Sequence, residues 1–165
     1  MEKHITYLKK QGPCHDAIVY AKGFKTLQET WDACERGDWM LWILGKQSGK
    51  PGTKSRKKLV LTACKCARLS LKYVTKGDKR PLKAIQTAEK YAKGIDGVTL
   101  QDVRAAADAA YVAAAYAAYA AAAYAAAAAA YADAADAAAA AAREKTLKKC
   151  ADIVKKDYPK IRMVK

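Results

Sequence analysis

The side chains here that could ligate a metal or act as nucleophiles are five cysteines, Cys14, Cys34, Cys64, Cys66 and Cys150, and two histidines, His4 and His15. A zinc site needs its ligands to converge on one point, and the spacing does not provide that. On a helix Cys64 and Cys66 point about 200° apart, so they cannot chelate one ion together. Cys14 and His15 are adjacent and diverge as well. A thiol nucleophile needs a base beside it, and neither histidine sits in a recognisable catalytic setting. The reading that remains is reduced thiols filling gaps in a core. The count is odd, and the first residues, MEKHITYLKK, hold no apolar stretch, so we expect a cytoplasmic protein without disulfides. No enzyme, cofactor or metal is expected.

Two motifs resemble functional ones and have simpler readings. Gly45–Lys58, GKQSGKPGTKSRKK, contains three Gly, one Pro and six bases with no acid. A phosphate-binding loop needs G-x-x-x-x-G-K-[ST]; here Gly45, Gly49 and Lys50 are one residue short, and Pro51 stands where a hydroxyl should meet magnesium. The segment reads as an exposed, mobile loop whose Lys46, Lys50, Lys54, Arg56, Lys57 and Lys58 could meet an acidic surface or a phosphate backbone. Arg36-Gly37-Asp38 spells the adhesion tripeptide, but Gly37 reads as a helix stop and Asp38 as the N-cap of the next helix. Close by, Trp31, Trp39 and Trp42 fall within twelve residues. Tryptophan dominates interfaces when desolvated, and it equally fills the core of a small bundle short of large side chains. Both readings stay open at this point.

Charge narrows the partner. The chain of 165 residues carries 31 Lys and Arg against 16 Asp and Glu, net +15. Residues 1–98 are net +12 and residues 143–165 net +6, while Ala105–Ala142, in which 29 of 38 positions are Ala, is net −3. Such a surface attracts acidic proteins, nucleic acid or anionic membranes and disfavours mimicry of nucleic acid. Val112–Ala132 has no charge over 21 residues, long enough to span a bilayer. Alanine is nearly neutral in transfer and the flanks lack the basic asymmetry of a span, so a helix outside the membrane is expected.

The elements that must position these groups are all helical. Pro13 opens a helix that stops at Gly23. Thr26-Leu-Gln-Glu29 forms a capping box for a second, ending at Gly37. Asp38 caps a third, Trp39 to Leu44, closed by Gly45. A fourth, Lys58 to about Thr75, is apolar nearly all round and reads as the central helix. A fifth runs from Pro81 to Lys93 and ends at Gly94, with Leu82, Ile85 and Ala88 or Tyr91 inward. One helix from Thr99 to Tyr158 would be about 90 Å long, roughly twice the diameter of a compact domain of this size, so a break is expected within it. On the Ala-rich helix Asp108, Asp133 and Asp136 share one sector, with Tyr116, Tyr124 and Tyr131 opposite. The fold class is an all-α bundle in a single domain, residues 1–98 carrying the Trp-bearing helices and 99–165 the Ala-rich and C-terminal ones.

The chain resembles a family of small helical proteins of bacteria and phages described as immunity proteins. Carrying the resemblance are Gly12-Pro13-Cys14, Trp31-Asp32-Ala33-Cys34, Arg36-Gly37-Asp38-Trp39-Met40-Leu41-Trp42, Cys66-Ala67-Arg68, Arg80-Pro81, the Ala-Tyr-Asp tract and Cys150-Ala151-Asp152-Ile153. It extends over nearly the whole chain, and the Trp-rich block is its distinctive part. The resemblance implies a non-enzymatic inhibitor of a toxin or defence effector. Immunity proteins that block nucleases are usually acidic, so at +15 this chain calls for a protein target with an acidic surface, or for contact through the less basic Asp and Tyr helix. The expected anchors are Trp31, Asp38, Trp39, Trp42, Tyr116, Tyr124 and Tyr131, with the basic loop steering association. The competing expectation is a basic helical protein that binds nucleic acid through that loop.

Overall fold

Proline, glycine and side-chain caps cut the chain into short helices, because each supplies or removes backbone hydrogen bonds at a helix end. The structure is a computed structural model and describes residues 3–106, 108 and 132–164. Among these residues there are eight α-helices, one 3-10 turn and no strand, as the all-α expectation requires. The helices are α1 Lys3–Gln11, α2 His15–Ala21, α3 Leu27–Ala33, α4 Gly37–Gln47, α5 Lys54–Arg68, α6 Arg80–Lys93, α7 over 100–106 and α8 Ala132–Asp157; the 3-10 turn is Leu71–Tyr73.

The caps explain several boundaries. Thr26 Oγ1 accepts from the Glu29 N–H at 3.1 Å, and the Glu29 carboxylate accepts from the Lys25 N–H at 2.9 Å, a capping box shifted by one residue. Pro81 lies in the first turn of α6, and Gly94 closes that helix at φ +71°, with the Ile95 N–H reaching back to the Lys90 carbonyl at 3.0 Å. Thr99 and Asp102 exchange hydrogen bonds at the start of α7.

Five expected boundaries move. The second predicted helix ends at Ala33, because Cys34 turns extended (ψ 125°), and α4 begins at Gly37, so Asp38 is a first-turn residue and not a cap. Gly45 does not stop α4, which continues to Gln47. The basic segment is helical at both ends: only Ser48–Thr53 lie outside a helix, and α5 starts at Lys54. That short turn is laced by Ser55 Oγ donating to the Ser48 carbonyl at 2.6 Å, Thr53 Oγ1 donating to the Lys50 carbonyl at 2.9 Å, and Arg56 Nη2 donating to the Gly45 and Gly49 carbonyls at 3.0 and 2.9 Å. At its other end α5 stops at Arg68, well before Thr75. Helix α1, which lies outside the expected elements, buries His4 and Ile5; His4 Nε2 donates to the Ala21 carbonyl at 3.3 Å.

The described contacts form two units. The first joins residues 1–62 to 147–165. Its core includes Ile5, Leu27, Trp31, Met40, Ile43, Leu44, Leu59, Val154 and Ile161, with Met40 and Val154 almost fully enclosed. The chain after α8 straps this core: Trp31 Nε1 donates to the Tyr158 carbonyl at 3.0 Å, the Ile161 N–H donates to Gln28 Oε1 at 3.1 Å, and Gln47 Nε2 donates to the Arg162 carbonyl at 2.9 Å. Gly37 is the tightest point, since a Cβ there would lie 2.7 Å from the Ala151 nitrogen and still closer to Cys150.

The second unit, residues 63–146, includes the C-terminal end of α5 and all of α6. Leu82, Ile85, Ala88 and Tyr91 are half-buried along α6, and Ala92 is buried. Cys64 Sγ lies 3.8 Å from the Ile85 carbonyl, and Arg68 grips Glu89 through both carboxylate oxygens at 2.8 and 2.7 Å. Helix α8 is continuous from Ala132 to Asp157. Residues 109–131 lie outside the described residues, and with them Tyr116, Tyr124, Tyr131 and the expected break.

The two glycines of α4 carry opposite predictions. Replacing Gly37 with Ala forces backbone apart and costs about 1–3 kcal/mol. At Gly45, where a Cβ meets only Arg56 Nη1 at 3.9 Å, Ala is neutral or stabilises by up to about 1 kcal/mol. Urea denaturation of both variants checks the contrast.

Candidate partner-binding face

Helix α4 has two sides because its apolar residues exceed what the core takes. Gly37, Met40, Ile43 and Leu44 are buried, with Ile43 at the edge of the buried side next to Trp39. Trp39, Trp42 and Lys46, spaced three and four apart, fall within a sector of about 60° facing away from Gly37 and Leu44, and Arg36 immediately precedes the helix. Both of these tryptophans are half-buried. The Arg36 guanidinium stands 4.2 Å from the centre of the Trp39 ring, and the Lys46 ammonium 5.4 Å from that of Trp42. Tyr20 of α2 tilts against Trp39 at 5.8 Å, and Phe24 against Tyr20 at 5.1 Å.

Between this side of α4 and the start of α2 lies an open groove of about 280 Å³, walled by Pro13, Cys14, Ala17, Asp38, Trp39 and Trp42. A smaller cavity of about 60 Å³ shares Pro13, Ala17, Trp39 and Trp42 and extends inward to Trp31, Met40 and Ile43. The groove lies over the core, and its floor is apolar.

Its polar rim is organised by one ion pair. Arg36 Nε and Nη2 donate to the two Asp38 carboxylate oxygens at 2.9 and 2.6 Å. The guanidinium holds the Asp38 carboxyl below its usual range against the opposing effect of partial burial, and the pair raises Arg36 in return. Both side chains are well exposed (38% and 40%), so the pair orients Arg36 over Trp39 more than it stabilises the fold. Behind the groove, burial raises the Cys34 thiol.

The expected site residues separate. Trp31 is 4% exposed with its N–H bonded internally, so it is core and not a partner anchor. Asp38, Trp39 and Trp42 come together in the groove. Among the basic residues Lys46, Lys50 and Lys54 are exposed and Lys57 is half-buried, whereas Arg56 is occupied by backbone carbonyls. Lys58 donates to the Asp157 carbonyl at 2.8 Å and lies 4.3 Å from the Tyr158 ring centre. Arg36, Pro13, Cys14 and Ala17 were missed as site residues; the three-and-four spacing of the two cations from the two tryptophans was the available signal for Arg36.

None of the five cysteines forms a disulfide; Cys14 is exposed and the other four are buried. Burial pushes the Cys64 thiol up to about 11. Among the described residues no group of three or more His, Cys, Asp or Glu side chains could hold a metal ion, and no helix is long and apolar enough to cross a membrane. What the face offers is aromatic contact area with oriented cations.

Two outcomes follow. A thiol reagent titrates Cys14 at once in the native protein and the other four only on unfolding; fast reaction of two or more contradicts the burial pattern. Because folding lowers the Asp38 pKa, the pair's contribution is complete above the unfolded carboxyl value of about 3.9 and is lost as pH falls through the lower folded value. Tryptophan emission should therefore change on acidification below about pH 4, and Asp38→Asn should remove that component. No protein-family model, curated protein or solved structure matches this chain.

Proposed function

We propose that this chain is a non-enzymatic, immunity-like protein that neutralises a toxin or defence effector by binding it, with the groove between α2 and α4 as its docking face. The observation that carries this reading is the placement of Trp39 and Trp42. Two large aromatic side chains stay half-exposed in an apolar groove while Trp31, eight residues earlier, is fully absorbed by the core. Half-exposed tryptophans over a rigid floor are the side chains that dominate protein–protein interfaces once a partner excludes water. Arg36 to Trp42 also belong to the distinctive block of the resemblance to immunity proteins.

The nucleic-acid reading draws less support. Of the six bases expected to meet phosphates, Arg56 and Lys58 already serve backbone carbonyls of the chain itself. Lys46, Lys50 and Lys54 remain for long-range steering toward an acidic partner, which acts on association rate more than on affinity.

Cys14 gives direct access to the face, since it walls the groove and is the exposed thiol. A maleimide photocrosslinker on Cys14, activated in host lysate, is expected to yield one discrete protein adduct that disappears in Trp39→Ala and Trp42→Ala. Adducts that persist in both variants, or adducts to nucleic acid only, would overturn the proposal.

A further inference from the structure

Resting on that docking face, we infer that its occupant is an acidic segment of the partner protein, with one aromatic or branched aliphatic side chain seated between Trp39 and Trp42 and carboxylates directed toward Lys46. The groove sets the size of the anchor. Its volume of about 280 Å³ lies at the lower edge of the roughly 300–1,000 Å³ of pockets that enclose a drug-sized molecule, with room for an anchoring side chain.

Charge sets the rest. The exposed side of α4 reads cation, Trp, Trp, cation, but its two ends differ. At one end Arg36 is neutralised by the bidentate grip of Asp38. At the other, Lys46 has no carboxylate partner among the described residues. No Asp or Glu lies between Trp39 and Lys54, and the exposed Lys50 and Lys54 add positive charge beyond Lys46. The turn that carries Lys50 is held by Thr53, Ser55 and Arg56, so these charges sit on a braced surface.

The asymmetry gives the segment a direction. Carboxylates near Arg36 would compete with Asp38, whereas carboxylates near Lys46 meet an unpaired cation. Trp42 and Lys46 are four residues apart on α4, about 6 Å along its axis, so the acidic residues begin roughly one helical turn from the anchor. A basic segment is disfavoured, because it would bring like charge against Lys46 and against cations already in place over both rings.

The probe is a capped 14-residue peptide with one Phe and Glu at three, four, seven and eight residues beyond it, Ser and Gly elsewhere, measured by isothermal titration and by intrinsic tryptophan emission in 50 mM salt. Binding is expected, weakening at least tenfold when the four Glu become Lys, when Phe becomes Ser, or when the protein carries Lys46→Glu, an exposed substitution that leaves the fold intact. Trp42→Ala should weaken it to the same degree. Equal binding of the Lys peptide, indifference to Lys46→Glu, or no binding of the acidic peptide below about 1 mM would overturn the inference. So would preferential binding of a 20-nucleotide single strand that survives Trp42→Ala. If Cys14 still crosslinks to a protein in a Trp42-dependent way while the acidic peptide shows no preference, the face is right and the chemistry assigned to its occupant is wrong.

Discussion

The close approach of Gly37 to Cys150 and Ala151 is the contact on which the first unit depends. With no side chain at Gly37, the start of α4 lies directly against the C-terminal part of α8, where even a methyl group would strike backbone. The contact fixes the rotation of α4 about its own axis. Met40, Ile43 and Leu44 are buried with Gly37, which leaves Trp39 and Trp42 half-buried on the remaining side of α4. Trp31 on α3 takes the interior position, and its N–H reaches the strap at Tyr158, which satisfies the one polar atom an indole brings inside.

The two remaining tryptophans would be a liability if left bare, since an exposed aromatic pair invites nonspecific association. Arg36 and Lys46 each cover one ring with a cation. Such contacts are worth only about 0.5–1 kcal/mol at exposed sites. They are too weak to hold the fold, and weak enough for a partner to rearrange. The net charge has a similar double use: part of it serves the chain's own carbonyls through Arg56 and Lys58, and part remains on the surface at Lys46, Lys50 and Lys54.

Where one residue decides a structure, the sequence was legible. Thr26 with Glu29, Pro81 and Gly94 mark helix ends through local hydrogen bonds, and those ends fall where the residues place them. Where a tertiary contact decides, local signals misled. Gly37 and Gly45 both look like helix stops, yet one is a close-packing glycine inside the first turn of α4 and the other sits within that helix beneath Arg56. The run GKQSGKPGTKSRKK looks unstructured because its order comes from Arg56 reaching back to carbonyls seven and eleven residues earlier, a pairing no local pattern announces. The division of the three tryptophans likewise follows from the Gly37 contact, since composition and spacing treat all three alike.

The division of the tryptophans is also what the binding face rests on, and it can be measured one ring at a time. Three variants, each keeping a single Trp and replacing the other two with Phe, can be compared by acrylamide quenching in the folded protein. The account predicts that Trp31 is shielded and emits to the blue, while Trp39 and Trp42 are quenched more readily and emit further to the red. Trp31 as accessible as the other two, or Trp39 and Trp42 as shielded as Trp31, would contradict it.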